Sequence, residues 1–256
     1  MAYLYTASVV FRQQMSGGLR QLLLRILLAV AYMVPLMLLW RTLLGGNAAQ
    51  QAGATLAQMM TYAYMNMLLS EQLNVRTSVA DTFYEGSIVG LCQRPLGIFR
   101  QITAETIGSW LPRLLFVSLP MALCAPFLRI SLQPATWWAL PSLLLAVSLG
   151  FAVDYLFASL MIHMRNAIWM VYSIRTALTT LFSGALIPFA LLPWGLGRLF
   201  TLLPFGSMAG APLALYTGLS SPVDILPLQL FWNILLWPLA VWAFRQSRER
   251  MVSFGG

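Results

Sequence analysis

Residues 182–218 read FSGALIPFALLPWGLGRLFTLLPFGSMAGAPLALYTG. The stretch is as apolar as a membrane span. Yet Gly184, Pro188, Pro193, Gly195, Gly197, Pro204, Gly206, Gly210, Pro212 and Gly218 interrupt it too often for one continuous helix. Irregular backbone at membrane depth survives only where protein or a watery cavity covers its polar groups. Two readings stand. One is a helix end followed by short interfacial or re-entrant helices, of the kind that marks transport pathways. The other is an outer loop rich in turns.

Composition fixes the surroundings of this stretch. Of 256 residues, 59% are apolar and only 9% are charged, and several apolar runs reach membrane length. The expectation is an all-α integral membrane protein, one transmembrane domain over residues 1–256, with no soluble domain. All 15 basic residues are Arg; there is no Lys. A Walker A loop needs its Lys on the nucleotide phosphates, so the chain cannot hydrolyse ATP by that route. A Schiff-base lysine is equally excluded. The net charge of +8 fits a positive-inside bias and anionic lipid rather than nucleic acid.

Outward from the broken stretch, hydropathy predicts six spans, at about 22–44, 55–75, 102–128, 137–161, 167–186 and 225–244. Residues 2–18 predict an amphipathic interfacial helix, with Leu4, Ala7, Phe11 and Met15 on one face. The start of the chain lacks the basic, then apolar, pattern of a secretory signal. Pro112, Pro120 and Pro126 should kink the third span. The expected loops place Arg12, Arg20, Arg25, Arg76, Arg94, Arg100, Arg165, Arg245, Arg248 and Arg250 on one side, and Arg41, Arg129 and Arg198 on the other. That bias puts both termini in the cytoplasm.

The second span is the most polar. Thr55, Gln58, Tyr62, Asn66 and Ser70 share one helical face, which lipid would penalise, so it should point inward. Interhelical hydrogen bonding and substrate contact are both open to it. Asp154 and Arg175 lie about equally far from the turn between spans 4 and 5, so an antiparallel hairpin sets them at similar depth, where an unpaired charge costs ~2.5–3.5 kcal/mol or more. The pair reads either as a buried structural contact or as a gate or proton relay. Glu105 and Arg113 share a face of span 3 but stand ~12 Å apart along the axis.

Catalytic chemistry finds no support. There is no nucleophile elbow and no pair of carboxylates at catalytic spacing. One His and the distant Cys92 and Cys124 make no metal site, so none is expected. Cys92 and Cys124 fall near opposite membrane faces, which argues against a disulfide. The loop 81–100, DTFYEGSIVGLCQRPLGIFR, predicts a short helix with Ile88, Val89 and Leu91 on an apolar face. Glu85 sits near its start and Pro95 stops it. Such a helix suits docking into a groove on a partner or resting on lipid.

Two segments carry a family resemblance. Residues 182–218 resemble the "SGaliPl…lP…l…lPF…P…G" signature of permease subunits of bacterial type-2 ABC exporters, in the six-span branch often associated with multidrug or peptide export. EGSIVGLCQRPL is similar to the inner-loop pattern of the same branch, with Cys92 and Gln93 departing from it. The resemblance implies a cytoplasmic coupling helix after span 2, with Glu85, Gly86, Ile88, Leu91, Arg94 and Pro95 at the ATPase contact. It implies an outer helical hairpin or gate carrying Ser183, Gly184, Pro188, Pro193, Pro204, Phe205, Pro212 and Gly218. It also implies partners: two copies of a nucleotide-binding subunit that hold the ATP and Mg, and a second permease, identical or related. The expected location is the bacterial inner membrane. The cargo would be amphipathic (a drug, peptide or lipid-like molecule), with Gln58, Tyr62, Asn66 and Thr179 as candidate path residues. The alternative is a proton-coupled secondary transporter built on Asp154 and Arg175.

Overall fold

A computed structural model of the chain describes residues 54–84, 90–91, 97–128, 130–164 and 167–253, with isolated positions between 8 and 42. Glu85, Gly86, Ile88, Arg94 and Pro95, together with Cys92, lie outside the described residues. The interfacial helix 2–18 and the first span 22–44 are described only at isolated positions.

Among the described residues every regular element is helical. In chain order these are α1 (Leu56–Leu68), α2 (Ser70–Leu73), α3 (Val79–Tyr84), α4 (Ile98–Leu128), α5 (Ala139–His163), α6 (Ile168–Phe182), α7 (Leu196–Leu202), α8 (Gly210–Thr217) and α9 (Pro222–Ser253). Three of them, α4, α5 and α9, are long and apolar enough to cross a membrane. α1 and α6 have 13 and 15 residues, short of a crossing at ~1.5 Å per residue.

Local chemistry sets these lengths. α1 begins with a capping box, in which Thr55 Oγ1 accepts from Gln58 N and Thr55 N donates to Gln58 Oε1. That satisfies two of the helix's orphan donors. The prolines of α4 alter its winding rather than stopping it. Residues Leu114–Ser118, between Pro112 and Pro120, form a π turn, and Ala125–Leu128, around Pro126, tighten to 3-10. At Ala125 the amide bonds to Ala122 O. Met121 O is thereby left to accept from the Tyr64 hydroxyl.

α5 is the core helix. It packs along α9 and against α2, α3, α6 and α8, and it is buried over 56% of its most apolar window against 28% for α4 and 22% for α9. A polar seam fixes its register with α9. Gln229 donates to Ser142 O and Ser207 O, Asn233 to Leu145 O, Trp237 Nε1 to Ser148 Oγ, and Ser247 to Ser159 O. Both residue numbers rise together, so the two helices run parallel. Along the same stretch of α5, Phe99 stacks on Tyr155 with ring centroids 4.2 Å apart. The Tyr155 hydroxyl reaches Phe99 O and Thr103, which ties the start of α4 to α5.

The broken stretch wraps around one ring. The Phe189 ring sits in a socket whose walls include Gly184, Gly206 and Gly210, and Gly197 lies against the Phe189 carbonyl. Gly184 has φ 78°, open to Gly at no steric cost. At Gly210 an added Cβ would lie 2.6 Å from Phe189 Cε2 and 3.0 Å from Ser183 O, while the Gly210 amide donates to that same Ser183 O at 2.7 Å. Backbone and ring leave no room for a methyl group. Gly210→Ala is therefore expected to lower the unfolding free energy in detergent by about 1–3 kcal/mol. Phe189→Leu in the same chain should recover part of that loss. Two additive costs would show that the ring and Gly210 are not in contact.

Candidate functional site: a cavity between two tethers

The face of α1 and α2 that carries Tyr62, Asn66 and Ser70 looks into a cavity of about 810 Å³. α4 contributes Ser109, Trp110, Arg113 and Val117 to its wall, and α6 contributes Tyr172, Arg175 and Thr176. Ala185, Leu186 and Pro188 of the broken stretch, with Leu28 and Arg76, also line it. Of the expected path residues, Tyr62 and Asn66 line this cavity. Gln58 instead caps α1 and donates to Thr217 O at 3.0 Å. Thr179 is buried, with its hydroxyl donating to Arg175 O within its own helix.

Tyr62 and Asn66 are also tethers. The Tyr62 hydroxyl donates to Gly184 O at 2.8 Å, and Asn66 Nδ2 donates to Ala185 O at 2.9 Å. These carbonyls follow the end of α6 at Phe182, where no further turn of helix takes them. A polar helical face thus holds irregular backbone in place, as buried polar groups require. Of the remaining hairpin residues, Ser183 and Pro212 are buried, and Pro193, Pro204 and Phe205 lie in the turns around α7.

At the other end of the α1–α2 segment stands the second tether. Asp154 of α5 and Arg175 of α6 are both buried, with Arg175 Nε 2.9 Å from Asp154 Oδ1. The approach is a charge contact rather than an aligned hydrogen bond. Asp154 Oδ2 accepts from Thr77 N at 2.8 Å and from Thr77 Oγ1 at 2.5 Å. Arg175 Nη2 donates to Val75 O. The two charges therefore grip the non-helical backbone of residues 75–77 from both sides. Between them Arg76 turns away from the buried pair to the cavity wall: its guanidinium lies 4.4 Å over the Tyr172 ring, donates to the Tyr172 hydroxyl at 2.5 Å, and sits 3.5 Å from Asp81.

A third ion pair lies in the cavity wall. Arg113 Nη1 is 3.0 Å from Glu71 Oε1, and Nη2 donates to Ser70 Oγ at 2.8 Å. The Arg113 and Glu71 side chains keep 37% and 34% of their exposure, so the pair contributes at most about 1 kcal/mol to stability. Sequence spacing put Arg113 on the same helical face as Glu105 but ~12 Å away along the axis, and so named no partner for it. Its actual partner comes from α2, a choice that only the crossing of α4 over α2 decides. The other residues expected at the partner contact lie outside the described set, except Leu91, which is buried in the core with its carbonyl accepting from Gln101 Nε2 at 3.0 Å.

Among the described residues no cluster of His, Cys, Asp or Glu stands close enough to hold a metal ion. Cys124 is a free, exposed thiol. Comparison with protein-family models, with curated proteins and with solved structures finds no match for this chain.

Removing one partner of the buried pair leaves the other charge without compensation. Asp154→Ala is expected to cost about 3–5 kcal/mol in equilibrium unfolding from mixed micelles, and Arg175→Met about as much. The double variant should cost less than the sum. At the other tether, Tyr62→Phe leaves the Gly184 carbonyl without its donor, and an expected loss of about 1–3 kcal/mol follows in the same assay.

Proposed function

We propose that this chain is the permease subunit of an ATP-driven exporter of the type-2 ABC class. In this reading it has six spans, two of which use the broken α1–α2 run and α6 with the irregular backbone after it, and both termini lie in the cytoplasm of a bacterial inner membrane. The observation that carries the reading is the cavity, which lies between a polar helix face and an interrupted apolar stretch. Irregular backbone at membrane depth is tolerated where it lines a cavity, and interrupted helices of this kind recur at solute sites. Three membrane-length helices and the motifs in residues 81–100 and 182–218 support the same assignment.

The mechanism follows from the two tethers. The segment 75–77 leads directly into α3 and the loop expected to seat on the ATPase. Any displacement of that loop pulls on Val75 and Thr77, and through Asp154 and Arg175 it pulls on the α5–α6 hairpin. α6 runs on into Gly184 and Ala185, which Tyr62 and Asn66 hold. The two ends of the cavity are thus joined through α6 and through α1–α2. Closure of the partner ATPases would exert the pull, and a second permease subunit would complete the enclosure. Lacking Lys, this chain leaves hydrolysis to the partner.

The proton-coupled alternative draws less support from Asp154. Both carboxylate oxygens are engaged, one by Arg175 and the other twice by Thr77. Protonation of Asp154 would give up its charge contact with Arg175 and weaken the two Thr77 contacts that hold residues 75–77.

Purification of the chain in mild detergent tests the proposal. A nucleotide-binding subunit is expected to co-purify, and its coupled ATP turnover should be lost in the Glu85→Ala, Arg94→Ala double variant. A chain that purifies alone and moves solute under a proton gradient without ATP would contradict the assignment.

A further inference from the structure

The cavity wall is electrostatically lopsided. Arg76, Arg113 and Arg175 line it, and Glu71 is the one acid among the lining residues described. The carboxylates that balance the other two cations are set back from it. Asp154 stands behind Arg175 and takes both Thr77 donors on Oδ2, and Asp81 meets Arg76 from outside the wall. Arg175 already faces Asp154 and donates from Nη2 to Val75 O. Arg76 and Arg113 remain as cations presented to the cavity, each half to one-third exposed. The uncharged wall is mixed: Asn66, Ser70 and Asn74 are polar, while Met67, Trp110, Val117 and Leu186 give it an apolar part.

We infer that the cavity binds an amphiphile with a single anionic head, a carboxylate or a phosphate. The head is seated by Arg113 with Arg76 as the second cation, and the apolar body lies against Met67, Trp110, Val117 and Leu186. The inference deepens the permease reading and rests on it for the cavity being a path, but not for the ATPase.

Three observations converge. A guanidinium matches an oxyanion head with paired, charge-assisted donors. The Glu71–Arg113 pair stands in the wall of an apolar helical domain yet keeps about a third of its exposure, so it adds little stability that would account for it. The arrangement is also a competition: Glu71 holds Arg113 when the cavity is empty, and an incoming oxyanion takes its place on the same Nη1. Glu71 is then left with Oε atoms facing water, at a modest cost because the pair is already partly exposed. Asn74, which also lines the cavity, adds an amide to the same wall.

This assignment predicts opposite signs for the two members of the pair. A dansyl-labelled undecanoate is titrated against the purified full chain in phosphatidylcholine nanodiscs, beside its methyl ester. The acid is expected to bind and the ester to bind at least about tenfold more weakly, the worth of one charge-assisted contact. Arg113→Gln should weaken the acid by about tenfold, and Glu71→Gln should tighten it, because the internal competitor is gone. The Glu71→Gln, Arg113→Gln double variant keeps the wall's charge sum and should bind like Arg113→Gln while unfolding at the wild-type temperature, which separates lost binding from lost fold. The same titration in nanodiscs containing phosphatidylglycerol identifies the source of the head. Displacement of the probe assigns the site to an anionic lipid, and an unchanged affinity assigns it to an anionic solute. Equal binding of acid and ester, or weakening by Glu71→Gln, would overturn the inference. Because no ATPase is present in the assay, these outcomes are independent of whether one co-purifies.

Discussion

A carboxylate and a guanidinium taken out of water together must find enough donors and acceptors to replace their hydration, or they destabilise whatever encloses them. Asp154 and Arg175 meet that demand with the backbone of residues 75–77. One carboxylate oxygen takes the Thr77 amide and hydroxyl, and the guanidinium takes the Val75 carbonyl. The demand runs both ways. Residues 75–77 belong to no helix, and their polar groups also need partners once α2, α3 and α5 close over them. Neither the pair nor the segment is satisfied without the other. The position of α3, the direction of Arg76 and one end of the cavity are all consequences of that mutual requirement.

The opposite end obeys the same rule without charge. The end of α6 leaves the carbonyls of Gly184 and Ala185 to be satisfied, and the polar face of α1 supplies Tyr62 and Asn66. Around them the chain turns on Phe189, whose socket of glycines lets backbone segments approach the ring closely. The cavity is what remains between two sets of obligatory contacts. Its residual polarity, the Glu71–Arg113 pair above all, is the part that stability does not explain.

Much of this was legible in residue order. The prolines and glycines of 182–218 announced broken backbone, and the structure divides that stretch into a short turn, α7 and α8. The spacing of Asp154 and Arg175 about the turn placed them at one depth, because hairpin symmetry is a property of sequence. The three- to four-residue recurrence of Tyr62, Asn66 and Ser70 placed them on one inward face. What sequence order did not hold was partner choice across space. Nothing near Thr77 marks it as the ligand of a carboxylate on α5, since that contact is fixed by packing after the helices form. Arg113 pairs with Glu71 for the same reason. The α5–α9 seam was within reach: Gln229 and Asn233 stand one helical turn apart in an apolar run, and the penalty argument that oriented the second span applies equally to them. The interruption at Leu69, which divides the second apolar run into α1 and α2, has no proline or glycine to signal it.

The claim on which the account turns is that Asp154 holds the Thr77 amide. Outside regular secondary structure an amide exchanges quickly unless something specific protects it. Residue-resolved hydrogen exchange on the full chain in nanodiscs therefore tests the claim directly. The account predicts that Thr77 N–H exchanges as slowly as the buried amides of α5 and that Asp154→Asn accelerates it, while the amides of α9 keep their wild-type protection. Rapid exchange at Thr77 in the unaltered protein would contradict it.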